Sequence, residues 1–228
     1  MKISRVAYLF VELVLLMSFA VAQDPQSLSE EVRQRRVADV DLNQVTEVDA
    51  LSRTLRAADL PGGIATVSTC GEGERFVITP AGPTLGETLD AIVATFPNYR
   101  WLVDRGAVNI FPLKNPPVLL DVVIADLKVE DNQTLDDIIR EISEKPEVRS
   151  VAARFHLSPG FKEVGLSSLE RPGSVNSEAT NGLALRLHNV TVRQALNAVV
   201  RAHGNAIWSY KEKRCNGSDE FVINLLVR

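Results

Sequence analysis

With 228 residues, 45% apolar and 24% charged, the chain has ordinary globular usage and enough length for one large or two small packed lobes, which excludes disorder throughout. Its formal net charge of −4 argues against nucleic acid as a partner, because a phosphate-tracking surface needs clustered Lys and Arg. The one dense basic cluster, Arg33-Gln34-Arg35-Arg36, falls in a polar stretch and is read as solvated.

In chain order, Lys2 and Arg5 precede the apolar run Leu13 to Ala22, which closes on the small-x-small pattern Ala20-Val21-Ala22. Residues 1–22 are therefore expected to be a signal peptide, which places the mature chain in the periplasm or outside the cell. The run is shorter than the roughly 20 apolar residues of a membrane helix, and no integral membrane segment is expected after cleavage. Residues 23–44 are polar and expected to be mobile.

A first lobe is expected over 45–115. Thr46 is a cap candidate, and Val48, Leu51 and Leu55 recur at helical spacing up to Pro61-Gly62-Gly63. Ile64 to Thr69 and Phe76 to Thr79 read as short strands around a polar turn. That turn, Cys70-Gly71-Glu72-Gly73-Glu74, is no phosphate loop: it lacks a Lys-Ser/Thr partner and its two acids repel an anion. Thr84-x-x-Glu87 is a capping box opening a helix from Leu85 to Thr95. Tyr99 to Asp104 and Ala107 to Pro112 then form a tight hairpin through Arg105-Gly106.

Pro116-Pro117 marks a boundary, and a second lobe is expected over 117–228. It begins with a strand–helix unit over 118–145, in which a strand, Val122 to Val129, leads to the box Thr134-x-x-Asp137. Residues 158–182, rich in Ser, Gly, Glu and Pro, read as a surface loop. Residues 183–228 hold a third box, Thr191-x-x-Gln194, and paired strands from Ala206 to Lys211 and from Glu220 to Val227. The sequons at Asn132 and Asn189 are simply polar turn positions before capped helices, and Asn216 carries a third.

The segments Thr84 to Val103 and Thr191 to Tyr210 align without a gap, with Thr84/Thr191, Leu89/Leu196, Ala91/Ala198, Val93/Val200, Asn98/Asn205 and Trp101/Trp208 identical. An internal repeat follows. Its core is expected to be Leu89, Ile92, Val93 and Trp101 in one copy and Leu196, Val199, Val200 and Trp208 in the other. Cys70 and Cys215 each stand six residues before a Phe-Val-Ile run, across a polar turn. In an exported chain they are expected to form a disulfide.

The two copies, with the strands around them, resemble the STN domain, the short N-terminal periplasmic module of secretins and TonB-dependent receptors. The residues that carry the resemblance are a strand leading into the Thr-capped helix, then two strands, the first pair ending on Val108-Asn109-Ile110. The resemblance implies an α+β fold of repeated βαββ units, small mixed sheets packed on helices, and docking to an envelope protein.

No catalytic set emerges. His156, His188 and His203 have no zinc-ligand spacing, and neither the Ser nor the Cys residues sit in a nucleophile context. Asp136-Asp137 and Glu87/Asp90 lie on opening turns of helices, where acids serve capping and the dipole. No enzyme activity, metal or cofactor is expected. The leading expectation is an exported interaction or scaffolding module that pairs through a strand edge, with Phe221, Ile223 and Leu225 on that edge. The alternatives are an exported hydrolase with an unrecognised site and a structural component forming rings or arrays.

Overall fold

A computed structural model of the chain describes residues 25–37, 40–69, 76–79, 82–160, 183–204, 206–214 and 219–227. Residues 1–22, expected to be a signal peptide, Cys70 and Cys215, expected to pair, and most of the expected 158–182 loop lie outside them. The described elements are α1 (Pro25–Gln34), α2 (Glu47–Ala57), β1 (Gly62–Thr69), α3 (Leu85–Thr95), β2 (Tyr99–Asp104) and β3 (Ala107–Pro112). After the diproline come β4 (Val123–Val129), α4 (Leu135–Glu144), α5 (Pro146–Arg154), β5 (Leu157–Pro159), β6 (Leu185–Thr191), α6 (Val192–His203), β7 (Ala206–Arg214) and β8 (Asp219–Val227). The fold is mixed α+β.

Four helices start on a threonine. Thr46, Thr84, Thr134 and Thr191 each hold extended backbone and accept a hydrogen bond from the amide three residues on. In the last three, Glu87, Asp137 and Gln194 reach back to the cap amide. The helix α5 has no side-chain cap and begins instead on Pro146, whose missing N–H is not needed at a first helical position.

Six strands form one mixed sheet in the order β2-β3-β1-β7-β8-β5, and β4 pairs with β6 in a separate antiparallel ribbon. Both hairpins, β2–β3 and β7–β8, are antiparallel. Arg105 and Gly106, at φ 51° and 82°, turn the first of them. Two positive φ values match the twist of the flanking strands. At the centre β1 runs parallel to β3 on one side and to β7 on the other, and the β1–β7 register extends from Gly62↔Ile207 to Thr69↔Arg214. Likewise β5 runs parallel to β8.

Side chains alternate across the sheet and feed two cores. One gathers Leu51 and Leu55 of α2, Leu85, Leu89 and Ile92 of α3, and Ile64, Val108, Ile110 and Ile207 of the sheet. The other gathers Leu135, Ile138 and Ile142 of α4, Leu196, Val199 and Val200 of α6, Ile124 and Leu127 of β4, and Trp208, Tyr210, Ile223 and Leu225 of the sheet. Neighbouring residues Ile64 and Ala65, or Ile207 and Trp208, go to different cores. The sheet is thus buried on both faces at its centre.

In the polar segment, residues 25–37 and 40–44 carry a helix and apolar anchors that polarity alone does not predict. The helix α1 buries Val32, and Leu42 is also buried. The chain after α1 then pairs with the approach to α3: Leu85 donates to the Arg35 carbonyl at 2.8 Å and Val37 to the Pro83 carbonyl at 2.9 Å. A few apolar anchors and backbone hydrogen bonds suffice to dock a segment whose other face is solvated. Phe76 to Thr79 is not a full strand. Phe76 makes a single bridge with Val45, and Ile78 donates to the Leu42 carbonyl.

Candidate partner-binding edge

The groups that could do chemistry are dispersed or already engaged. His156 lies in the turn before β5, His188 on β6 and His203 in the last turn of α6. His188 Nδ1 is 2.9 Å from Asp126 Oδ1, its register partner on β4, and both side chains are mostly exposed. Among the described residues no group of three or more His, Cys, Asp or Glu could hold a metal ion. Glu87 and Asp137 are held below the usual carboxylate range first by the hydroxyls and then by the amides of Thr84 and Thr134, as capping requires. Asp90 accepts the Trp101 indole N–H at 2.8 Å. An open cleft at the end of the β4–β6 ribbon is lined by Lys128, Glu130, Asn132 and Arg186, with Lys128 paired to Glu130.

Among the described residues the most deeply buried acid is Glu212, which sequence reasoning missed. Its Oε1 accepts from Tyr210 Oη at 2.6 Å and from the Val118 amide at 2.9 Å, and its Oε2 accepts from Arg214 Nη2 at 2.8 Å. Burial, and next the charge of Glu212, push the Tyr210 hydroxyl far above its ordinary pKa, so it stays a donor. With both oxygens engaged, the carboxylate ties the segment after Pro116-Pro117 to β7. The only sequence signal is Tyr210, Glu212 and Arg214 at period two, which places them on one strand face.

The two expected core sets lie on different helices and faces. Leu196, Val199, Val200 and Trp208 are fully buried, as are Leu89 and Ile92, whereas Val93 and Trp101 are half-buried. The indole of Trp208 donates to Asn197 Oδ1 at 2.8 Å, and that of Trp101 is covered by the Arg33 guanidinium, 4.4 Å from the ring centroid. Trp101 is less buried because its strand is outermost.

The side chains of Phe221, Ile223 and Leu225, expected on a partner edge, are buried, and of the three only Phe221 has a strand on its outer side. They are 2%, 4% and 2% exposed, on a strand that pairs with β7 along its length and with β5 over Asp219 to Phe221. Further along, α4 packs against β8.

The outer strands are β5 and β2. The first is three residues long and ends on Pro159, two devices that blunt an edge. The second is six residues long, without Pro, and keeps an unbroken register with β3 from Tyr99↔Pro112 to Asp104↔Ala107. Leu113 donates to the Asn98 carbonyl at 2.6 Å, so Asn98, Arg100, Leu102 and Asp104 turn their backbone groups toward β3. The N–H and C=O groups of Trp101 and Val103 then point away from the sheet, while the Tyr99 N–H donates to the Phe96 carbonyl at 3.0 Å. Among the described residues no strand pairs with that side. No helix there is long and apolar enough to cross a membrane.

No known family, curated protein or solved structure matches the chain.

Proposed function

We propose that this chain is an exported, non-catalytic interaction module of two STN-like units, which binds an envelope protein by adding a strand to its sheet. The single observation that carries this is the outer side of β2, a six-residue strand without Pro at one end of the sheet, with which no strand pairs among the described residues. Backbone donors and acceptors along such an edge gain partners when an extended segment pairs with them.

The two-unit reading is supported by equivalent bonds. Trp101 bonds Asp90 and Trp208 bonds Asn197, eleven residues back in both cases, at positions that the repeat aligns. Leu85 donates to Arg35 as Val192 donates to Val122, again from aligned positions. The hairpin β2–β3 has β1 parallel beside it, and β7–β8 has β5 parallel beside it. Most distinctive residues thus serve packing and capping, which supports a binding role over turnover.

Capture from the native envelope, with the exported chain as bait, tests the reading. A specific protein retained by the wild-type chain and lost on Val103→Pro, which removes an outward N–H from β2, is the expected result. Turnover of a substrate by purified chain, or capture unaffected by that substitution in a folded variant, overturns it.

A further inference from the structure

Building on this edge reading, we infer that β2 pairs with β2 of a second copy of this chain, antiparallel about a two-fold axis at Leu102. The strand Tyr99-Arg100-Trp101-Leu102-Val103-Asp104 is complementary to itself in that register. Centring the pair on Leu102 sets Arg100 opposite Asp104 of the second copy, twice by symmetry, and Trp101 opposite Val103. A two-fold interface brings the same patch from each copy, so it requires this self-complementarity.

The backbone fits the same register. Leu102 bonds toward β3, so on the outer side it forms a non-hydrogen-bonded pair with its own copy, the kind in which side chains approach most closely. Arg100 and Asp104 fall in the same class. Trp101 and Val103, whose amides and carbonyls face outward, are the positions that exchange main-chain hydrogen bonds across the axis. The guanidinium of Arg100 stacks on Phe111 at 4.6 Å, which engages its face and leaves its N–H rim for a carboxylate.

Faces also match. Trp101 and Val103 lie on the side of the first core, while Leu102 packs on the side of the second. Opposite residues in an antiparallel pair share a face, so apolar Leu102 meets Leu102 and half-buried Trp101 meets Val103. In the separate β4–β6 ribbon the exposed face carries the charged residues Asp126 and Lys128 on β4 and Arg186 on β6. Charges there oppose unwanted pairing, whereas on β2 they are placed to pair with each other.

The test is sedimentation of the purified chain with two charge reversals. Wild type is expected to sediment as a dimer at about 100 µM, and Arg100→Asp or Asp104→Arg to weaken self-association about tenfold, because each sets like charges opposite one another twice. The double variant restores the dimer. Leu102→Cys, oxidised at the same concentration, gives a covalent dimer. Folded wild type that remains a monomer, reversals without effect, or a double variant no better than the singles overturns self-pairing. A monomer that captures a different protein through β2, with capture lost on Val103→Pro, overturns self-pairing alone; a folded monomer that captures nothing overturns the edge reading as well.

Discussion

Trp208 lies across Gly63. The two are register partners on β7 and β1, and a Cβ built on Gly63 would stand 1.8 Å from Trp208 Cε2. The parallel junction between the two hairpins therefore closes only because one strand has no side chain where the other lays its indole. Gly63→Ala is expected to lower the free energy of unfolding by about 3 kcal/mol or more, the upper range of overpacking, measured by urea unfolding. A loss below about 1 kcal/mol would show that the indole is not confined there.

The two indoles should respond unequally. Trp208→Ala is expected to cost about 3 to 5 kcal/mol, as for fully buried aromatics. Trp101→Ala should cost less, because half of its environment is the exposed Arg33 cover. Likewise Asn197→Ala leaves the buried Trp208 N–H without an acceptor and is expected to cost about 1 to 3 kcal/mol. Asp90→Ala should cost less than that, since water reaches the Trp101 N–H. Equal losses at both sites would contradict the different depths of the two strands.

Glu212 offers a sharper test, since three donors converge on it. Glu212→Ala is expected to cost about 3 to 5 kcal/mol by leaving Arg214 and the Tyr210 hydroxyl without their acceptor. The raised Tyr210 pKa makes the folded state hold its proton more tightly than the unfolded state does. Its contribution is complete below the unfolded value near pH 10 and declines as pH rises above it. Tyr210→Phe should flatten that alkaline decline.

At the acid end the capping boxes supply an internal control. Glu87 and Asp137 are more acidic folded than unfolded, so their contribution is present above about pH 4 and is lost as pH falls through the lower folded values. The third box uses Gln194, which does not titrate there. Glu87→Gln and Asp137→Asn, copying that solution, should each reduce the acid slope of stability measured by thermal unfolding between pH 5 and pH 2, taken as about the range of carboxyl titration. A slope unchanged in both variants would place the acid sensitivity elsewhere.

Much of this was legible in the sequence, and for identifiable reasons. Threonine followed by an acid or amide three residues on marked helix starts at Thr84, Thr134 and Thr191, and Arg105-Gly106 fixed the ends of the β2–β3 hairpin. These signals are local. The start of α5 at Pro146 carried no cap and was overlooked, although Pro at a first helical position is itself a signal. What was illegible depends on distant partners. That β5 reaches the far side of β8 over Asp219 to Phe221 depends on a segment far upstream in the chain, and no pattern within Phe221 to Val227 states this. The burial of Glu212 was hidden by its neighbours Lys211 and Lys213, which read as a solvated strand. That β2 is the open edge follows only once the order of all six strands is known.

The expected disulfide lies on residues outside those described, and only the strands that lead to it are placed. Thr69 and Arg214, each the residue before a cysteine, are partners in the parallel β1–β7 pair. Thiol titration of denatured, unreduced chain purified from an oxidising compartment should find Cys70 and Cys215 without free thiols, and reduction should lower stability by about 5 kcal/mol in the chain-entropy account. Two free thiols in such material would contradict the pairing.

Partner binding is placed on the outer side of β2, and amide hydrogen exchange reads that side directly. In dilute, free chain the amides of Trp101 and Val103 should exchange quickly while those of Arg100, Leu102 and Asp104, bonded to β3, are protected; on association, Trp101 and Val103 should become protected as well. Fast exchange that persists in the associated protein, or protection of Trp101 and Val103 already present in the free chain, would contradict it.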